Sequence, residues 1–438
     1  MKIIKWLKSL IKKNNYSIEE VYTPTSAAKI NYVSRPEIEG TIRRAIKIPG
    51  MQIILYGHSG GGKTTIIRKI LETERRNYII TSCVDGTTVN SIIINAFDKL
   101  NPYYTQEVNK KNIYKISSAL KTSYATILSS ISTEVVEEVE QKQVRVLPVQ
   151  LTYEKLGEFL GAAECIWVIE DFHKVAKEEK KKLSDIMKAF VDIANDYKYT
   201  KIFAIGAVAT PREVVNYTPD IKSRIAEINI PLLRKQELEK IVINGASLLN
   251  IEFDQKLIEK TIYYSNFLGS LCHQLCYTHC EQQNVLKTQP KKIKIDNNIL
   301  KKSIEIYVQQ KSDTFQKILD KALKQRKGKF ENVKLILNAF IALEKEEVSY
   351  NEILQKIKEW EPEYPQGNLT VYLKPLTTPS NSEIIRYDVN SGKYSFSDPF
   401  FKAYCTMALE KIQTCDIKIE NIQIRISEIF KFLDKNLK

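Results

Sequence analysis

The sequence predicts an α/β fold: a parallel sheet covered by helices, then a helical region, then a small C-terminal domain. Three observations lead to this prediction. Through the first half of the chain, short apolar runs alternate with amphipathic helical patterns, which is typical of parallel strands joined by crossover helices. Residues 235–325 follow helical periodicity almost throughout. Residues 330–410 change to helices followed by a hairpin pattern.

The first apolar run, 52–56, is predicted to be a buried strand, and a helix is predicted to start at Thr64. The sequence between them fits the pattern G-x-x-x-x-G-K-[ST] at every fixed position. Glycines let backbone N–H groups approach phosphate oxygens, and the helix N-terminus adds partial positive charge. Lys63 is placed to reach the β- and γ-phosphates. The residues predicted to bind a nucleoside triphosphate, which we expect to be ATP, are Gly57, His58, Ser59, Gly60, Gly61, Gly62, Lys63, Thr64 and Thr65.

Four further apolar runs complete the predicted sheet, namely Tyr78–Cys83, Cys165–Ile169, Lys201–Gly206 and Glu227–Ile230. The second of these leads into Glu170 and Asp171. A carboxylate at a strand end can hold Mg²⁺, and its neighbour can activate the attacking water. We expect Glu170 to share Mg²⁺ with Thr64, and Asp171, or Glu170 itself, to be the base. The acids stand in the reverse of the usual order, Asp then Glu, so slow or regulated hydrolysis is expected. The alternative interpretation is that Glu170 and Asp171 are two solvated acids at the end of a strand.

These motifs resemble those of AAA+ and STAND ATPases, which are P-loop NTPases, and most of all the branch that joins origin-recognition-type ATPase modules to a C-terminal winged helix. Residues 32–37 resemble the adenine-side motif of that family. The resemblance implies that Tyr32, Val33 and Arg35 bind the nucleotide.

Residues 220–224 resemble the Ser-Arg box of the family. The resemblance makes Arg224 an arginine finger that completes a neighbour's site, and so implies a nucleotide-dependent homo-oligomer. It places the first sensor near Thr210. His273 occupies the region of the second sensor, and its role is either a nucleotide contact or a structural hydrogen bond in the lid.

The C-terminal pattern predicts a winged helix-turn-helix. Helices are predicted over 330–343 and 349–360, and a third around 368–373 that ends at Pro375; a hairpin follows. The predicted nucleic-acid contacts on the recognition helix and wing are Asn368, Thr370, Tyr372, Lys374, Arg386 and Lys393. The alternative is that this domain packs only against the rest of the chain.

The chain has 66 Lys and Arg against 52 Asp and Glu, a net charge of +14. This excess favours a polyanionic partner, duplex DNA first, although a lysine-rich residue usage would also produce it. No apolar run is long enough to predict a membrane-spanning helix. Seven cysteines and a start unlike a signal peptide predict a cytoplasmic location. The acidic stretch 133–140 is interpreted as a solvated helix face.

Cys272, Cys276 and Cys280 recur four residues apart on one face of one predicted helix, which also contains His273 and His279. A closed tetrahedral zinc site needs convergent ligands, normally from two elements, so packed thiols are predicted instead.

The predicted domains are a basic amphipathic segment (1–30), an ATPase core (31–233), a helical lid (234–325), a winged helix (326–415) and a terminal helix (416–438). Residues 1–13 are expected to pack on the body of the protein, with contact to a membrane or a partner as the alternative. The predicted function is a slowly hydrolysing ATP switch that binds DNA through the winged helix. The alternative is a STAND-like signalling ATPase, for example in bacterial antiviral defence, that recruits a protein effector.

Overall fold

The computed structural model describes residues 15–105, 116–133, 137–139, 142–144, 147–206, 219–324, 329–378, 383–389 and 391–409. The chain forms two compact units. We call Ala27–Leu232 the sheet unit, and the chain up to Ser26 together with the chain from Leu233 onward the helical unit.

Helices and strands are numbered in chain order. The strands are β1 (Gln52–Tyr56), β2 (Asn77–Ser82), β3 (Glu137–Val139), β4 (Lys142–Val144), β5 (Cys165–Glu170), β6 (Ile202–Gly206), β7 (Ile225–Asn229), β8 (Ile251–Phe253), β9 (Ile293–Ile295), β10 (Ile385–Asp388) and β11 (Lys393–Phe396). The α-helices are α1 (Ile18–Val21), α2 (Pro36–Lys47), α3 (Lys63–Thr73), α4 (Val89–Thr105), α5 (Ser118–Thr133), α6 (Tyr153–Ala162), α7 (Lys180–Ile193), α8 (Lys235–Leu249), α9 (Gln255–Tyr264), α10 (Gly269–Gln282), α11 (Leu300–Gln310), α12 (Lys317–Leu323), α13 (Asn332–Ala342), α14 (Tyr350–Trp360) and α15 (Gln366–Leu376).

The sheet unit is built on a five-stranded parallel sheet with the strand order β2-β5-β6-β1-β7. The predicted parallel sheet with alternating helices is confirmed. Strand β6 lies between β1 and β5, so one strand separates the glycine-rich loop from the acidic strand end. Because all five strands are parallel, the residues that follow β1, β5 and β7 meet at one edge of the sheet.

Side chains of the central strands alternate between two apolar layers, as the period of a strand requires. Ile54 and Trp167 are fully buried in the layer formed with α4, α5, α6 and α7. Ile53 and Val168 are buried in the opposite layer with α2 and α3. Both faces of the sheet are covered by apolar side chains. Polar chemistry can therefore occur only at the loops along its edges.

Two predictions about local structure were wrong. The acidic stretch interpreted as a helix contains β3, which pairs with β4 in an antiparallel hairpin; its valines favour a strand over a helix. Helix α15 runs through Pro375 and ends at Leu376. Within residues 235–325, which the sequence predicts to be helical almost throughout, the short strands β8 and β9 pair in parallel. Runs of three residues carry too little periodicity to be detected in the sequence.

The first residues of the described chain, 15–26, pack against the later helices of the helical unit, and we call them the strap. The backbones of Tyr16 and Thr288 are joined by a hydrogen bond of 2.9 Å. The side chain of Tyr22 is fully buried and its hydroxyl donates to the Val242 carbonyl oxygen at 3.2 Å. Gly245 makes room for this ring, since a Cβ there would lie 2.5 Å from it. The strap therefore belongs structurally to helices that follow it by more than 200 residues.

Helices α13, α14 and α15 share one apolar core with the hairpin β10–β11, in the order predicted for a winged helix. Ser349 begins α14 with a reciprocal capping box to Glu352. Residues 399–409 are helical and pack on the same core.

Within the described ranges, no helix is both long and apolar enough to cross a membrane.

Candidate nucleotide site

The loop between β1 and α3 has the backbone shape of a phosphate cradle. Gly60 and Gly62 have positive φ angles of 79° and 82°, which only glycine adopts readily. Gly62 is the N-cap of α3, and no side chain caps this end of the helix. The first N–H groups of α3 therefore keep their partial positive charge for an anion.

Two other glycines of the loop lie close against the backbone of the chain itself. A Cβ on Gly57 would lie 2.3 Å from the carbonyl oxygen of Ile230, and one on Gly61 would lie 3.2 Å from the same oxygen. Ile230 follows β7 and donates its N–H to the Tyr56 carbonyl oxygen at 2.8 Å. The loop is thus seated on the backbone just past β7. The sequence pattern explains these glycines by phosphate approach alone and gives no signal of this support.

Lys63 turns its ammonium group back over the loop. Its Nζ donates to the carbonyl oxygens of Gly57 at 2.9 Å and His58 at 2.8 Å. Burial lowers the pKa of Lys63, and the negative charge of Asp171 acts on that pKa in the opposite direction. A phosphate in the loop would give this cation a stronger, charge-assisted partner than the two carbonyl groups.

Glu170 ends β5 at the same edge of the sheet. Its Oε2 accepts a hydrogen bond of 3.2 Å from the Ser82 hydroxyl. Its Oε1 is buried and has no hydrogen-bond partner in the part of the chain that the structure describes. A buried carboxylate oxygen without a partner costs free energy unless a cation or a donor satisfies it. A carboxylate oxygen of this kind suits Mg²⁺; that Glu170 shares the ion with the hydroxyl of Thr64 stays a prediction.

Asp171 is placed differently. Its φ angle of 56° lies in the left-handed region, where it begins the short 3-10 helix Phe172–Lys174. Its side chain is 49% exposed and pairs with the Lys174 ammonium at 3.0 Å. The two adjacent acids therefore differ in environment: Glu170 is the shielded one, and Asp171 is the solvated, charge-balanced one.

His173 belongs to this edge of the sheet and was not singled out from the sequence. Its Nδ1 is buried without a hydrogen-bond partner among the described residues. Burial lowers the pKa of His173, Asp171 opposes this, and Lys174 and Lys63 lower it further. The only signal in the sequence was a histidine shortly after the acidic pair.

Arg35 was predicted on the adenine side, and the structure shows its guanidinium on the backbone of the loop. Nη1 donates to the Gly61 carbonyl oxygen at 3.3 Å. Nη2 donates to the carbonyl oxygens of Pro231 at 2.9 Å and Leu232 at 3.2 Å. Arg35 therefore joins the phosphate loop to the last residues of the sheet unit.

Tyr32 and Val33 precede this arginine. The Tyr32 hydroxyl donates to Glu39 Oε1 at 2.9 Å, and the Arg35 N–H donates to the same oxygen at 2.9 Å. Val33 is 8% exposed. The motif is thus anchored to the first turn of α2, and its nucleotide contacts stay predictions.

Arg224 lies at the opposite edge of the sheet. Gln52 pairs with Ile225 in the register of β1 and β7, so Arg224 stands at the amino ends of the strands. Its side chain is 58% exposed and 4.0 Å from Asp192 Oδ1. The structure does not bring Arg224 to the phosphate loop of its own chain. Thr210 lies outside the described residues.

His273 lies in the helical unit, where it is 4% exposed and its Nδ1 accepts the Thr23 N–H at 3.2 Å. Burial lowers the pKa of this imidazole to about 4. Cys272, Cys276 and Cys280 are fully buried beside it on α10. In the described ranges, no group of three or more His, Cys, Asp or Glu is arranged to hold a metal ion.

The predicted recognition helix, α15, directs two of its four predicted contacts inward. Asn368 is half-buried and its amide donates to Asn332 Oδ1 at 3.2 Å. Tyr372 is half-buried against the apolar core. Thr370 and Lys374 are exposed, and so are Gln366, Gly367 and Val371. Lys374 is thus the one positively charged side chain on the exposed face of α15.

Arg386 and Lys393 are both exposed on the hairpin. The surrounding domain is nevertheless not basic. Residues 329–409 contain nine Lys and Arg and eleven Asp and Glu, so the positive charge of the chain resides elsewhere.

Comparisons with solved structures found proteins of similar architecture. A Walker-type ATPase of Pyrococcus abyssi is 12% identical with a TM-score of 0.49, covering 86% of this chain and 96% of that one. Cdc6p of Pyrobaculum aerophilum is 14% identical with a TM-score of 0.42, covering 90% and 98%. The ORC1 protein of Aeropyrum pernix, solved in complex with DNA, is 13% identical with a TM-score of 0.38, covering 91% and 97%.

No protein-family model matches the chain, and no curated protein sequence matches it. The assignment of the fold rests on the sheet order and on the geometry of the loop.

Proposed function

We propose that this chain is an ATP-binding molecular switch that hydrolyses ATP slowly. One observation supports this proposal above all. At one edge of the sheet, the ammonium group of Lys63 lies over the glycine loop, and Glu170 has a buried carboxylate oxygen without a hydrogen-bond partner among the described residues. An anion site beside an unsatisfied carboxylate oxygen suits a phosphate chain accompanied by a divalent cation.

The residues of the site have distinct roles. The N–H groups of the loop and Lys63 bind the phosphates. Thr64 and Glu170 would hold Mg²⁺, which when bound would supply neutralisation of the negative charge of the phosphates. The attacking water gives its proton to Glu170 or Asp171. The buried Nδ1 of His173 is available to form a hydrogen bond with a bound nucleotide at this edge. On nucleotide binding, Lys63 exchanges its two loop carbonyl partners for a phosphate.

Arg224 is proposed to act on a neighbouring subunit. It is exposed at the amino edge of the sheet, away from its own loop. An arginine there would complete the phosphate site of a second copy, so nucleotide would favour a homo-oligomer. Arg224→Ala should leave ATP binding unchanged and abolish nucleotide-dependent assembly, measured by light scattering; assembly like that of the unchanged protein would exclude this role.

The test of the site is Lys63→Ala, with Lys181→Ala on the exposed surface of α7 as the matched control. ATP affinity, measured by titration calorimetry, should fall by at least about 100-fold for Lys63→Ala, since a charge-assisted contact to phosphate is lost. The control should bind as the unchanged protein does. Equal affinity of both variants would overturn the proposed site.

The second candidate function is a signalling ATPase that recruits a protein effector, and one observation favours it over DNA contact by the winged helix. The winged helix is packed into the helical unit. The amide of the buried Asn266 donates to the Pro399 carbonyl oxygen at 2.9 Å, and Lys235 pairs with Glu344 at 2.5 Å. A domain held in this way, with a slight acidic excess, suits an internal clamp better than a DNA reader.

ATP hydrolysis with and without duplex DNA, at two salt concentrations, separates the candidates. Stimulation that fades at high salt supports a DNA-responsive switch, because counterion release makes phosphate binding salt-dependent. Hydrolysis that is indifferent to DNA at both concentrations supports the signalling function and directs the search to a protein partner.

A further inference from the structure

Positive charge is concentrated in the helical unit, outside the winged helix. Residues 286–302 contain six lysines and a single acid, Asp296. We call these lysines the lysine cluster: Lys287, Lys291, Lys292, Lys294, Lys301 and Lys302. This short segment has a net charge of +5, whereas residues 329–409 have a net charge of −2.

All six side chains of the lysine cluster are exposed. Lys292 pairs with Glu252 at 2.5 Å, and Glu252 stands opposite Lys294 in the register of β8 and β9. In the described part of the chain, the other five lysines form no ion pair with an acidic side chain. Their charge is therefore largely uncompensated. Lys287, Lys291 and Lys292 precede β9, Lys294 lies on β9, and Lys301 and Lys302 lie in the first turn of α11.

The surroundings of the cluster decide between a nucleic acid and a membrane. Most apolar residues of the segment are buried: Ile295 is fully buried, Ile299 is 7% exposed, Leu300 is 8% exposed and Ile293 is half-buried. Leu286, 56% exposed, is the exception. A membrane-binding surface needs an exposed apolar face beside its cations, and this surface offers one leucine. Exposed Asn298 and half-buried Asn297, Thr288 and Gln289 lie between the lysines, and such polar groups suit phosphate and sugar oxygens.

We propose that the lysine cluster is the DNA-contacting surface of this protein and that it binds the duplex backbone without sequence preference. The proposal deepens the DNA-responsive form of the proposed function by moving the contact from the winged helix to the segment 286–302. It does not depend on ATP hydrolysis, because it requires only exposed charge on the helical unit.

The experiment compares two triple charge reversals in the full chain. The cluster variant is Lys291→Glu, Lys294→Glu and Lys301→Glu; the matched control is Lys374→Glu, Arg386→Glu and Lys393→Glu on the winged helix. Binding to a labelled duplex of random sequence is measured by fluorescence anisotropy between 50 and 200 mM salt, about the range over which counterion release is resolved. Thermal melting checks that each variant folds, and Lys301→Glu places an acid in the first turn of α11, where it suits the helix dipole.

The cluster variant should bind at least about tenfold more weakly at low salt, and the slope of log K against log salt should decrease in magnitude by about three. The control should match the unchanged protein. Loss in the control alone would return the contact to the winged helix and overturn the proposal, as would equal binding by all three proteins. Binding of the unchanged protein to anionic phosphatidylserine vesicles but not to DNA would identify a membrane surface instead. ATP affinity, measured in parallel, tests the nucleotide site separately, so failure of one proposal does not mimic failure of the other.

Discussion

The guanidinium group of Arg35 donates a hydrogen bond to the carbonyl oxygen of Gly61, inside the phosphate loop. The same group reaches the carbonyl oxygens of Pro231 and Leu232 on its other side. Arg35 is 7% exposed, so these bonds form away from bulk water, where they are strong. One side chain thus holds the loop against a segment that follows it by 170 residues or more.

Replacing Arg35 by Lys should weaken ATP binding by about tenfold, because an ammonium lacks the planar fork that reaches both sides at once. Arg35→Gln should behave similarly. Titration of a fluorescent ATP analogue measures the effect, with Arg44→Lys on the exposed face of α2 as the control. Rescue of full affinity by lysine would mean that charge alone matters, and that the two-sided contact does not position the loop.

Gly57→Ala should destabilise the protein more than Gly62→Ala, by at least about 2 kcal/mol. Both glycines have positive φ angles, 145° and 82°, but only the Cβ at Gly57 would meet the Ile230 carbonyl oxygen; at Gly62 nothing lies within 4 Å. Urea unfolding followed by circular dichroism measures the difference. If both variants lost the same free energy of unfolding, the positive φ angle, rather than the contact with the Ile230 carbonyl oxygen, would determine the destabilisation.

Glu170→Gln should lower kcat by about 100-fold or more while ATP still binds, and Asp171→Asn should lower it less. The reason is that Glu170 holds the buried, partnerless oxygen, whereas Asp171 is half exposed and neutralised by Lys174. Single-turnover hydrolysis at saturating ATP measures kcat for each variant, and Glu178→Gln on the surface is the control. A larger loss for Asp171→Asn would assign the base to Asp171.

The helical unit should lose stability in acid through its buried histidines. His279 lies between the hydroxyls of Ser303 at 2.7 Å and Thr261 at 3.0 Å, and burial lowers its pKa to about 3. The pKa of His273 is lowered to about 4. The unfolded chain binds these protons first, near pH 6.5, so stability is full above that pH and falls as the pH drops toward 4.

Each histidine contributes a slope of at most about 1.4 kcal/mol per pH unit in that window. Urea unfolding between pH 7 and 4 measures it, and His279→Gln should remove one histidine's share of the decline. An unchanged slope in His279→Gln would mean that the loss of stability in acid comes from other groups.

The phosphate loop and the central strands could be predicted because their signals are local. The run from Gln52 to Tyr56 appears as a strand with the predicted bounds, and the helix predicted at Thr64 begins one residue earlier, at Lys63. Apolar runs bounded by glycines leave the chain few alternatives to a buried strand and turn. The helix predicted over 349–360 is likewise confirmed as α14, Tyr350–Trp360, with Ser349 as its N-cap.

The sequence by itself thus determined the class of fold, the loop, and the acidic strand end, since each depends on residues that are neighbours along the chain. Only the tertiary structure decided what supports them. Ile230 beneath the loop, the partners of Arg35, the inward turn of Asn368, and the strap from Tyr22 to Val242 all join residues that are far apart in sequence. Hydrogen bonds and packing depend on distance in space, and a one-dimensional pattern does not record which distant segments meet.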